Sequence, residues 1–268
     1  MGFLGGGKRA GGASAVMNSI EIWQWALAAF GALLVGIGKG GLPGVGNFAV
    51  ILFALAFDAR LSVGLLLPVL ISADVVAVTI YRKHVAWNYL WRLLPWMVLG
   101  VLIGYVVFEH LDSDDVERLI GGIVLLMTLL QIFRKWTASR RPAGVEDVLP
   151  DSRWFSFGMG VTGGFATMTA NAAGPVGQLY LLSVGLPKMA FIGTAAWLFF
   201  LINVFKVPLQ IDLGIISFES VRVSGTLMPF AIGGALLAPV LVRWISEVWF
   251  ARLIWAFILV AAVKMLLF

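Results

Sequence analysis

The sequence predicts an all-α polytopic membrane protein built from two homologous repeats. Three observations predict it. Of 268 residues, 60% are hydrophobic and 12% are charged, whereas a soluble domain carries about a quarter charged residues. Uncharged apolar runs recur along the whole chain, so several membrane helices are expected and not one anchor. The runs follow the order full, short, full, full, full, and then repeat it.

Residues 1–19 are Gly-rich and polar and hold no apolar core, so they read as a disordered tail and not a cleaved signal peptide. Gly6 stands where N-myristoylation asks for Ser or Thr. Ile20–Ile37 is the first apolar run, about 27 Å long as a helix and enough to cross a bilayer. Asn47–Phe57 is short, about 16 Å as a helix. Leu61–Tyr81, Trp91–Phe108 and Val116–Phe133 are full-length. A polar stretch from Arg134 to Arg153, with Pro142, Gly144 and Pro150, separates the halves. Trp154–Met168, the short Ala172–Val184, Lys188–Phe205, Val221–Val242 and Val248–Phe268 complete the series. The expected organisation is a tail over 1–19, a first transmembrane repeat over 20–136, a cytoplasmic linker over 137–152 and a second repeat over 153–268. Each repeat should hold about four full transmembrane helices plus one short broken or re-entrant helix.

Residues support the repeat. An offset of 134 carries Pro95 onto Pro229, Gly100 onto Gly234, and "RLI" at Arg118 onto "RLI" at Arg252. An offset of 129 carries Gly64 onto Gly193 and Asp74 onto Asn203. The change of offset implies five extra residues in the second half, near "QIDLG". Arg82, Lys83, Arg134, Lys135, Arg140, Arg141 and Arg153 mark one face, and the acidic loop from Phe108 to Arg118 marks the other. If the short segments are re-entrant, each half has four spans, the repeats are parallel and both termini are cytoplasmic. If the short segments cross obliquely, each half has five spans and the repeats are inverted. Charge counting favours the first arrangement. The expected location is the inner (plasma) membrane, and the bilayer is the main partner.

The first helix ends in "GIGKGGLPGVGN", Gly36 to Asn47. It fits G-x-G-x-x-G, with Asp58 downstream, but a dinucleotide site needs a strand before it, and here a membrane-length helix precedes it. It is not a P-loop, because Gly40 follows Lys39. Irregular backbone at membrane depth is tolerated only when buried in protein or facing a watery cavity. A short helix starting near Gly44 would aim free N–H groups at the break, an anion site to which Lys39 adds full charge. The second half breaks similarly in "GGFATMTANAAGPVG", where Thr167, Thr169 and Asn171 are oxyanion donors. Two breaks at corresponding places point to a transporter's central site. The candidate substrate-binding residues are Lys39, Gly40, Gly41, Gly44, Asn47, Thr167, Thr169, Asn171, Gly174 and Asn203. Asp74, a lone carboxylate inside a span, is the candidate proton-coupling residue; a structural ion pair is the alternative. Lys206 lies near the end of its apolar run, where snorkelling to the interface is expected.

Other chemistry is disfavoured. There is no cysteine, and the two histidines, His84 and His110, sit in no ligand-spaced cluster. No metal, cofactor or enzyme active site is expected. The net charge of +5 is read as helix-end Lys and Arg and not as a nucleic-acid footprint. Gly100-x3-Gly104 and Gly234-x3-Ala238 serve either packing within the bundle or a seam between two copies in a homodimer. Trp87, Trp91, Trp96, Trp244 and Trp249 fall near span ends, as an aromatic belt would.

The runs "GIGKGGLPGVG" and "SVGLLLPVLISADVVAVTIYRKHVAWNYLWRLLPW" resemble the TauE/SafE sulfite exporter family, the same group as the toluene-sulfonate uptake permeases. "GFATMTANAAGPVGQLYLLSVGLPKMAFIGTAAWLFFLINVFKVPL" resembles it equally. The resemblance implies a carrier of small sulfur-containing anions such as sulfite, sulfoacetate or other organosulfonates, often exported and driven by the proton-motive force. An uncoupled anion channel and an uptake permease are the alternatives. It supplies no residue roles, so the candidates above rest on the residues alone.

Overall fold

The computed structural model describes residues 20–41, 45–139 and 153–244. The tail, Gly44, most of the linker and the run Val248–Phe268 lie outside them. The described residues form nine α-helices and no strand: α1 (Ile22–Lys39), α2 (Gly46–Ala56), α3 (Ala59–Tyr81), α4 (Trp87–Glu109), α5 (Ser113–Ser139), α6 (Arg153–Ala170), α7 (Gly174–Ser183), α8 (Lys188–Asp212) and α9 (Phe218–Trp244). Five of them, α1, α3, α4, α8 and α9, are long and apolar enough to cross a membrane.

Helix limits follow local chemistry. Asp58 caps α3 by accepting the Leu61 N–H at 3.1 Å, so the acid spaced for a ribose serves the backbone. Asp112 does the same before α5, accepting the Asp115 N–H at 2.9 Å. The apolar run that ends at Phe205 continues as helix through Pro208 to Asp212. Proline removes one N–H, and neighbouring helices tolerate the defect at membrane depth.

Direction is fixed by contacts between named residues. The Gln24 side chain donates to the Ala56 carbonyl at 2.6 Å, and a Cβ at Gly38 would lie 2.9 Å from Gly46 N, so α2 runs back along α1. Arg60 donates to the Leu111 and Phe108 carbonyls, so α3 starts beside the acidic loop. α3 and α8 are antiparallel. A Cβ at Gly64 would meet the Ile215 carbonyl oxygen at 2.2 Å, and one at Gly193 would meet the His84 carbonyl oxygen at 2.4 Å. The Ala86 N–H donates to Thr194 Oγ1 at 2.9 Å at that same end.

Two parallel helix pairs flank this centre, α4 with α6 and α1 with α9, and their closest approaches mirror each other. A Cβ at Gly36 would lie 2.0 Å from the Ala231 carbonyl oxygen, and one at Gly164 would lie 2.0 Å from that of Met97. Gly100 approaches Val161 as Gly234 approaches Leu33, at 2.1 and 2.3 Å by the same measure. The small-residue faces therefore pack within the bundle, where missing side chains let helix backbones touch. Trp87, Trp91 and Trp96 are exposed near the start of α4, as belt residues would be.

Candidate functional site

The site lies where α1 and α6 end and α2 and α7 begin. α1 stops at Lys39, and Gly41 follows with φ 142°, a conformation that L side chains rarely adopt. α6 stops at Ala170, and Asn171 follows as the one described non-glycine residue with positive φ, 52°. Its N–H bonds to the Thr167 carbonyl at 3.1 Å and the Ala172 N–H to that of Ala166 at 3.2 Å. The bond from Asn171 to Thr167 is that of the αL cap, in which asparagine substitutes for glycine. Asn171 is fixed at both ends of its side chain. Nδ2 donates to the Val63 carbonyl on α3 at 2.9 Å, and Oδ1 accepts from Lys206 Nζ on α8 at 2.6 Å.

Both breaks line one cavity of about 90 Å³, several times what a single water requires. Its polar wall is Lys39, Asn47, Thr167, Asn171, Gln178 and Asn203, with the backbone of Gly38, Gly41, Gly46 and Gly174. Its apolar wall includes Val35, Leu70, Phe191 and Phe199. The first residues of α2 and α7 are on this wall, so their unpaired N–H groups and positive dipole ends lie at the cavity. Lys39 Nζ lies 4.5 Å from the centre of the Phe199 ring, a cation–π contact that holds the ammonium at the cavity edge.

A chain of polar contacts runs behind that wall. Lys39 Nζ is 2.7 Å from Asp74 Oδ1, with the lysine side chain 17% exposed and Asp74 fully buried. Asn203 Nδ2 donates to Asp74 Oδ2 at 2.7 Å. Lys206 Nζ donates to Asn203 Oδ1 at 3.4 Å, Thr167 Oγ1 at 3.1 Å and Asn171 Oδ1 at 2.6 Å. Lys206 is 0% exposed and has no carboxylate in contact among the described residues. Two lysines against one aspartate leave the cluster with a net positive charge when all three are ionised. A buried charge excess of that sign favours an anion.

The candidates divide as follows. Lys39, Gly41, Asn47, Thr167, Asn171, Gly174 and Asn203 share the cavity. Asp74 sits behind it, paired with Lys39. Gly40 faces elsewhere: its carbonyl accepts the Tyr81 hydroxyl at 2.9 Å, and a Cβ there would meet α9 at Ala235 and Ala238. Thr169 is buried and returns its hydroxyl to the Phe165 carbonyl at 2.9 Å, so it is not on the wall. Gly44 lies outside the described residues. The expectation that Lys206 snorkels is wrong, because α8 continues past it and places it mid-bundle. Gln178 and Phe199 were not anticipated. Helical spacing alone could have flagged Lys206, since it lies three residues from Asn203 on the same face. His84 and His110 are both exposed, and the described residues hold no cluster of metal-ligating side chains.

Fold and site together define a polytopic helical membrane protein with a polar, cationic cavity between two broken helices. The chain matches the sulfite exporter TauE/SafE family over residues 27–265 and belongs to that family. No curated protein and no solved structure matches it.

Proposed function

We propose that the protein is a secondary transporter that exports a small sulfur-containing oxyanion, sulfite or an organosulfonate, across the inner membrane. The convergence of both broken helices on one lysine-bearing cavity carries this reading. The anion sits against Lys39, Asn47, Thr167 and Asn171 and the N–H groups that open α2 and α7. Asp74 carries the coupling proton, since an intramembrane carboxylate with a removable partner can exchange one.

The two halves are inverted repeats. Antiparallel α3 and α8, and the mirrored approaches of Gly36 and Gly164, support a two-fold axis in the membrane plane. That symmetry is common among carriers that expose one site alternately to each side. By the positive-inside rule the face with Arg82, Lys83, Arg134 and Arg153 is cytoplasmic. α1 then begins on the far side, opposite to its place in the four-span count, and the short helices with the broken segments before them take the place of that count's missing spans.

The test is thermal stability of the purified protein with sulfite, sulfate, thiosulfate, sulfoacetate, taurine and an aromatic sulfonate. A ligand at about 100 times its Kd stabilises by about 2.7 kcal/mol. One sulfur anion should stabilise the wild type and neither Lys39→Ala nor Asn171→Ala. No response to any anion, or unchanged variants, would refute the site.

A further inference from the structure

The cavity follows only part of α8. On α8 its lining runs from Asn203 back to Phe191, toward the end where Gly193 packs on the His84 carbonyl. The same helix continues the other way with two more polar residues, Lys206 and Gln210. Asn203, Lys206 and Gln210 stand three and four residues apart, which puts them on one face of the helix. All three are buried, the last two fully. The stripe from Asn203 to Gln210 covers about 10 Å and stops two residues short of Asp212, which is exposed. Tyr105, near the end of α4, donates to Asp212, so this end of α8 is the acidic-loop face.

Gln210 is unexplained by packing. Neither its Oε1 nor its Nε2 has a hydrogen-bond partner, although both are buried. An amide left so is costly, and each such group in a native protein calls for an explanation, a functional role or a bound water among them. The turn after α8 is tied to the backbone at this residue: the Gln210 main-chain carbonyl accepts from the Ile215 and Ile216 N–H groups, both at 3.1 Å. Gly214, with φ 69°, makes that turn. On the cavity side Lys206 ties Thr167 and Asn171 to α8. The stripe is thus polar and buried along its length.

We propose that this face of α8 is the second half of the permeation path, with Lys206 as its gate and Gln210 as a hydrogen-bonding station for the oxyanion beyond the gate. The inference rests on the anion-site reading above. When Lys206 leaves Asn171 and Thr167, its ammonium follows the anion out of the cavity. The Gln210 amide then donates to the anion's oxygens next to the acidic-loop face. The lysine supplies the charge, and the carboxamide gives polar contact without holding the anion too tightly to leave.

Gln210→Leu separates this from a structural role. Removing an unpaired buried amide should leave folding intact or raise the melting temperature. Counterflow of radiolabelled sulfite in proteoliposomes should nevertheless fall roughly tenfold or more, while sulfite still stabilises the purified variant as it does the wild type. Gln210→Cys, in a chain without native cysteine, should react with an anionic thiol reagent from the acidic-loop face, and sulfite should slow that reaction. Wild-type counterflow in Gln210→Leu, or a Gln210→Cys thiol that stays unreactive during turnover, would overturn the path and leave the anion site standing. Failure of every anion in the panel above to stabilise the wild type would overturn the anion site itself, and the path with it.

Discussion

Asp74 and Asn203, 129 residues apart, meet at the centre of the bundle, where the asparagine Nδ2 donates to Asp74 Oδ2 at 2.7 Å. Each sits on one of the two antiparallel helices, α3 and α8. The other Asp74 oxygen belongs to Lys39. The carboxylate therefore joins the first break to the helix that carries Lys206. Asp74→Asn keeps the shape and removes the charge. It should still bind sulfite, and proteoliposomes should show sulfite counterflow without sulfite-driven acidification. Proton movement that survives the substitution would place coupling elsewhere, and a channel would conduct equally well with either residue.

Asn171 does two jobs that substitutions can divide. Asn171→Gly keeps the left-handed backbone and loses the bonds to Val63 and Lys206. Asn171→Ala loses both. The alanine variant should be less stable than the glycine variant by about 1 kcal/mol, the cost of the left-handed conformation. Both should lose stabilisation by sulfite to a similar degree. Chemical denaturation in detergent, with and without sulfite, measures the two effects together.

The mirrored glycine contacts predict matched defects. Gly36→Ala and Gly164→Ala each put a methyl about 2.0 Å from a carbonyl oxygen of the neighbouring helix. Rigid helix backbones must separate, so each should destabilise by about 1–3 kcal/mol. Gly158→Ala, on α6 with nothing within 4 Å, should instead gain about 0.5–1 kcal/mol from helix propensity. Thermal unfolding of the three variants tests the symmetry directly. Equal tolerance at all three positions would argue against close packing of α1 on α9 and of α4 on α6.

The orientation can be read with single cysteines, because the chain has none of its own. His84→Cys lies in the turn between α3 and α4, and Asp114→Cys lies at the start of α5. An impermeant thiol reagent outside intact cells should label the second and not the first. The reverse pattern would invert the assignment of the basic face to the cytoplasm.

Much of this was legible in the residues. The two glycine-rich breaks, Lys39, Asp74 and the Thr167–Asn171 cluster stand out because each is expensive at membrane depth unless something uses it. Lys206 was misplaced for a physical reason. The apolar run stops at Phe205 because Lys206 itself follows, with Pro208 just beyond, and a lysine at a helix end normally snorkels. The bundle holds the helix together past the proline, and the same lysine becomes the most buried cation of the site. Thr169 erred the other way: its neighbours in sequence face the cavity, but its own hydroxyl bonds back one turn, as a helical threonine can.

Composition and spacing determined that this chain is a helical membrane protein and where its helices break, and its motifs carry the resemblance to a family. Those properties depend on the solvent and on local backbone chemistry, and both act residue by residue. Only the tertiary structure decided that α3 and α8 run antiparallel, that both breaks share one cavity, and that Lys206 is buried against the second break. Those depend on which helix faces meet, and contacts between residues more than a hundred positions apart leave little mark on the sequence around either one.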